Sequence, residues 1–122
     1  MNNVAVWFEI PAANFERAVG FYEAVFGTAL KRETMMGTQL AVFPYEQPGN
    51  SGCVIQGQGY KPGADGAVVY LRAEGDLAVP LGKVEKAGGK VALPKTALPE
   101  GMGYFAHFVD SEGNRVGLHS MQ

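Results

Sequence analysis

Cysteine is almost missing from this chain: Cys53 is the only one in 122 residues. A single thiol excludes an intrachain disulfide and a multi-cysteine zinc site. A thiol left reduced fits the cytosol, so a cytoplasmic location is expected. There is no basic excess either. Ten Lys and Arg stand against twelve Asp and Glu, a net charge of −2, and Arg17, Arg32, Arg72 and Arg115 are scattered. A phosphate-backbone binder carries a basic patch or stripe, so no nucleic-acid partner is expected. No apolar run nears the ~18 residues of a membrane helix. Met1-Asn2-Asn3-Val4 lacks the basic-then-apolar opening of a signal peptide, so no membrane partner or export is expected.

What is present is ordinary globular material. Hydrophobic residues make up 47% and charged residues 18%. Residues 1–122 fit one domain that buries roughly two-thirds of its surface without a disulfide or metal staple. Seventeen glycines and seven prolines suit short strands and frequent turns.

The sequence repeats itself once. At a shift of 62, Ala5-Val6 meets Ala67-Val68, Asn14-Phe15 meets Asp76-Leu77, and Gly20, Glu23 and Gly27 meet Gly82, Glu85 and Gly89. The punctuation repeats too. Val4–Ile10 alternates as a strand, Asn14 caps, Phe15, Val19, Tyr22 and Phe26 fall at helical spacing, and Gly27 stops the helix. In the second half Ala67–Leu71 is the strand and Asp76 the cap. Leu77, Leu81 and Val84 form the stripe, with Pro80 tolerable near the helix start and Gly88-Gly89 as the stop. Three strand-like pieces follow each helix: Leu30–Thr34, Gln39–Phe43 and Gly52–Gln56, then Lys90–Leu93, Tyr104–Val109 and Arg115–His119. The reading is α+β, two tandem βαβββ modules (1–60 and 61–122) in one domain.

Trp7-Phe8-Glu9-Ile10-Pro11, Asn14-Phe15-Glu16-Arg17-Ala18, Phe21-Tyr22 and Val25-Phe26-Gly27 resemble the vicinal oxygen chelate superfamily. So do Gly103-Tyr104-Phe105-Ala106 and Asp110-Ser111-Glu112-Gly113-Asn114-Arg115-Val116-Gly117-Leu118. Glyoxalase I, bleomycin-resistance proteins and extradiol dioxygenases belong to it. The resemblance implies paired modules curling their sheets around a cavity. It also implies that metal-dependent members draw ligands from the first and last strand of each module. Those positions read here as Trp7, Val54, Val69 and Gly117, none of which ligates a divalent cation through its side chain. No metal and no cofactor are therefore expected.

Strand alternation then puts Glu9, Gln56, Leu71 and His119 next on the same face. Glu9 and His119, assisted by Gln56, are expected to pair. Three readings stay open: a polar pair fixing register, a ligand-contacting or proton-transferring pair, and a displaced metal site. Trp7 is either core or a cavity wall stacking on a flat ligand. Trp7, Gln56, Val69, Leu71 and Gly117 are the candidate ligand-binding residues, and Glu9 and His119 the candidate catalytic ones. If Asp110–Gly113 is a four-residue turn, His107 pairs with Val116 and faces away from the cavity row. Cys53 and Tyr70 are likewise expected off that row. Asp110–Asn114 reads as a hairpin closure, with Gly113 supplying a permissive backbone.

Two main functions compete, and an interaction or regulatory subunit with a vestigial cavity is a third reading. One is a metal-independent protein binding a small ligand between its sheets. The other is a lyase or isomerase of small carbonyl compounds, with Glu9 and His119 moving a proton. A homodimer is expected. The outer strands need cover, and Phe8 and Tyr70 are outward aromatic candidates for an interface.

Overall fold

The computed structural model describes residues 4–122. Strand β1 (Trp7–Pro11) leads to helix α1 (Phe15–Phe26), then β2 (Lys31–Met35), β3 (Thr38–Val42) and β4 (Ser51–Gln56). After a connection without regular structure come β5 (Tyr70–Arg72), the short α2 (Ala78–Leu81), β6 (Lys90–Ala97), β7 (Tyr104–Val109) and β8 (Arg115–Ser120). This is βαβββ twice. Sheet A has the order β1-β4-β3-β2 and sheet B the order β5-β8-β7-β6. In each, the first and last strands pair in parallel and the rest antiparallel. The expected outer strands, β2 and β6, are indeed sheet edges.

Helix α1 forms where the spacing placed it. The Asn14 side chain accepts from the Arg17 amide, and Gly27 closes the helix at φ 65°, a conformation that costs glycine little. Phe15, Ala18, Val19, Tyr22 and Val25 are all buried. The second helix is much shorter than its stripe suggested. Asp76 does accept from the Ala78 amide, and Leu77 and Val84 are buried. But Pro80 supplies no amide and Gly82 sits in mid-stretch, so the chain continues as loose turns to Gly88.

One core serves both modules. It joins Ile10, Ala41 and Val54 of sheet A to Leu71, Ala106, Phe108, Val116 and Leu118 of sheet B through Phe15, Val19, Phe21, Tyr22, Leu77 and Val84. The Tyr22 ring lies 5.6 Å from that of Phe43 and 6.3 Å from that of Phe108, so α1 touches both halves. The sheets' helix-side faces therefore look toward each other across the helices, and their other faces look outward. Between the two sheets of one chain this helical core takes most of the space where the cavity was expected. Phe8 is also on the helix side, partly buried, with its ring 5.7 Å from Phe43, and is no outward anchor.

Candidate functional site

The outer face of sheet A is built by alternation. Parallel pairing sets Trp7 beside Ser51 and Glu9 beside Cys53, and antiparallel pairing sets Cys53 beside Val42 and Ile55 beside Leu40. Leu40, Val42, Cys53 and Ile55 form a buried apolar cluster of their own. Trp7, 42% exposed, and Glu9 stand at its margin. The Tyr60 phenol has its pKa raised, first by the Glu9 charge nearby. Burial, then the Glu9 and Glu33 charges, push the Cys53 thiol up to about 12. It stays protonated and inert at neutral pH.

The outer face of sheet B is different in kind. Tyr70 lies beside Gly117 and Arg72 beside His119, while His107 pairs with Gly117 and Phe105 with His119. Tyr70 is 50% exposed, its hydroxyl 2.6 Å from His107 Nε2, and Arg115 Nε–H donates to His107 Nδ1 at 2.9 Å. Burial first, and then the Arg115 charge, lower the His107 pKa. A Cβ on Gly117 would run into the Tyr70 ring, so only glycine lets that ring lie against the strand.

Several expected positions are corrected here. Val54 and Gln56 face the helix, and Cys53 takes the outer position: the Glu9–Cys53 pair mirrors Tyr70–Gly117. Gln56 is no cavity floor. Its Oε1 accepts from the Phe15 amide at 2.6 Å and its Nε2 donates to the Ala13 carbonyl at 2.9 Å, tying β4 to the start of α1. Leu71 is core, which leaves Val69 on the helix side as well, packed against that core. The reason is one extra residue. Ala12 donates to Ile55 as Ala73 does to His119, a shift of 61, whereas Phe15 and Leu77 differ by 62. Gly75, at φ 76°, lies in the longer connection. The same extra residue turns Tyr70 to the outer face, and His107 is there because the β7–β8 turn runs to Asn114, whose carbonyl accepts from the Asp110 amide. Glu9 and His119 lie on the outer faces of different sheets. The His119 Nε2 partner is the Met102 carbonyl, at 2.7 Å, not Glu9. Trp7, Glu9, Gly117 and His119 lie on the face away from the helices, but that face looks outward and not into a cavity between the chain's own sheets.

With the register corrected, the four strand positions read as metal sites in the sequence become Trp7, Cys53, Val68 and Gly117. Among the described residues, no three His, Cys, Asp or Glu side chains gather as a cation would need. A hollow of about 700 Å³ lies on the helix side between the modules, with Phe8, Phe26 and Phe43 in its lining and charged Glu46, Glu74 and Lys83 beside them.

A family model for the Glyoxalase/Bleomycin resistance protein/Dioxygenase superfamily matches residues 5–118. The chain belongs to that superfamily. Solved structures share its fold. An antibiotic binding protein from Streptomyces sp. CB03234 is 23% identical with a TM-score of 0.68, covering 98% of this chain and 97% of its own. A glyoxalase/bleomycin resistance protein from Albidiferax ferrireducens is 15% identical, TM-score 0.69, over 93% and 95%. A glyoxalase I mutant from Zea mays is 20% identical, TM-score 0.70, over 95% of this chain but 46% of the maize one, so the chain spans about half that protein. No curated protein matches the sequence. At these identities the superfamily likeness is one of fold, and function has to be argued from the site.

The superfamily's signature turn is the part that sequence reasoning undervalued. Glu112 accepts from the Ala13 and Asn14 amides at 2.9 and 2.8 Å and pairs with Arg17 at 2.6 Å. Asp110 accepts from the buried Tyr22 hydroxyl at 2.6 Å, and Asn114 donates to the Pro11 carbonyl. The turn of module two thus clasps the helix start of module one. The sequence signal was there, in three polar side chains within five residues, but its partners lie about a hundred residues away.

Proposed function

We propose that the chain is a small-molecule-binding protein that works without the superfamily's metal, taking a small, partly apolar ligand against its outer sheet faces. The observation carrying this reading is the make-up of those faces. Sheet B presents Tyr70, Phe105 and His107 beside Arg72 and Arg115, and sheet A holds the 42%-exposed Trp7 at the margin of its buried apolar cluster. Apolar and aromatic walls with a few fixed polar groups are the usual make-up of ligand sites. The Streptomyces relative, an antibiotic binding protein, supports it. Of Trp7, Cys53, Val68 and Gly117 only the thiol is a donor, and it is buried and held protonated. That set does not fit a divalent cation, and no metal step is derived.

The sheet B face is open at Tyr70, and the sheet A face exposes Trp7 at its margin. A homodimer in which one copy lays its sheet B face on the other's sheet A face would close two equal cavities, and that isologous arrangement is part of the proposal. A cytoplasmic location goes with it, since Cys53 is a free thiol. The lyase or isomerase reading has less support, because His119 Nε2 is tied to the Met102 carbonyl.

Thermal melts of chelator-treated protein, with added divalent metals and with a panel of flat small molecules, provide the test. The expected result is a rise in Tm with flat molecules and none with zinc, nickel, manganese or iron. A rise with one metal and with no small molecule overturns the reading.

A further inference from the structure

The hydrogen bonds around His107 fix where a proton must sit. Arg115 Nε–H is a donor only, so His107 Nδ1 accepts and carries no proton. The imidazole is then neutral with its hydrogen on Nε2, 2.6 Å from the Tyr70 oxygen. That Nε2–H donates and the Tyr70 oxygen accepts, so the phenol's own hydrogen is not spent on His107. It is left for another acceptor, on a side chain half open to solvent.

The setting of that hydroxyl narrows what it meets. The Tyr70 ring lies against Gly117, with the His107 centroid 5.3 Å and the Phe105 centroid 6.4 Å away, a small aromatic platform. Arg72, two residues along β5 on the same face, makes none of the ion pairs among the described residues. Tyr70, Arg72 and His119 line one shallow depression, with Glu74 also in its lining.

We propose that Tyr70 is a fixed hydrogen-bond donor to an anionic oxygen of a flat, conjugated ligand, its proton freed for that role by Arg115 acting through His107. The assignment rests on the small-molecule reading above and adds the ligand class: a planar molecule bearing a carboxylate or phenolate. Tyr70 and Arg72 hold its oxygen while the ring rests on the aromatic platform. Arg115 and His107 are positioning residues; they set the direction of the Tyr70 hydroxyl.

Two measurements on the intact protein test this. Nitrogen-15 spectra of the imidazoles at neutral pH read the tautomer directly. With two histidines in the chain, the His119→Gln variant assigns the His107 signals. His107 is expected as the neutral Nε2–H form, and as a tautomer mixture in Arg115→Gln; an Nδ1–H form or an imidazolium in the native protein overturns the relay. Binding of 2-naphthoate is then compared between the native protein and Tyr70→Phe, which keeps the ring and loses the hydroxyl. About a tenfold weakening is expected from one hydrogen bond to a charged group. Equal binding overturns the donor assignment and leaves the small-molecule site standing. A native protein that binds neutral naphthalene derivatives but not 2-naphthoate does the same. One that binds neither overturns both readings.

Discussion

Glu112 bridges the modules through a carboxylate with no solvent exposure, reached by two backbone amides, Arg17 and the Ser111 hydroxyl. Burial by itself would raise its pKa. The Arg17 guanidinium, the Asn14 and Ala13 amides and Ser111 outweigh that and hold it at about 2. A carboxylate depressed from an ordinary ~4.5 contributes stability that is whole above the unfolded value and lost as pH falls toward the folded one. The difference corresponds to about 3 kcal/mol at neutral pH. Glu112→Gln should therefore unfold at lower urea concentration at pH 7, by about that amount, and the gap to the native protein should close between about pH 4.5 and pH 2. A gap that stays constant over that range contradicts this role. Gly117 makes a second residue-scale test. Gly117→Ala places a methyl group where the Tyr70 ring lies, so it should cost about 1–3 kcal/mol and weaken ligand binding along with Tyr70→Phe. The check is paired urea melts and titrations.

At the scale of elements, what the sequence made legible was whatever local chemistry decides. Asn14 and Gly27 bound α1 as the capping rules require, and the period-2 runs became β3, β4, β7 and β8 within a residue or two of their expected ends. Facing was legible only where the offset between the modules was right. An insertion before α2 and a turn one residue longer than assumed each flipped a row, because a one-residue slip moves every side chain to the other face. A separate one-residue error, in aligning β4 with β8, puts Gln56 on the cavity row when it is a helix anchor: Ile55 and not Gln56 is the counterpart of His119. Gln56→Leu should leave the Phe15 amide without its side-chain partner and destabilise the protein by about 1–3 kcal/mol. Ligand affinity should stay within about twofold, since the side chain faces α1 and not the outer row. Calorimetric melting with binding titration separates the two effects; a large loss of affinity without loss of stability would contradict the anchor role.

At the scale of the whole molecule, the repeat and its two modules could be read from the sequence, but their mutual orientation could not. Nothing local distinguishes two sheets that enclose a cavity from two sheets that back onto a shared helical core. The decision falls to long-range packing: Phe21 and Tyr22 reach Phe108, and the Asp110–Asn114 turn grips α1. This back-to-back arrangement leaves the sheet B outer face aromatic and cationic, and the sheet A outer face a buried apolar cluster edged by the exposed Trp7. On the function proposed above, two copies close their outer faces around a flat ligand with no metal between them. Native mass spectrometry of protein grown in metal-rich medium, with 2-naphthoate added, reads every part of that claim at once. It should show a species of twice 13.0 kDa that carries no divalent metal and takes up two ligand molecules. A 13.0 kDa species holding one transition metal per chain would contradict it.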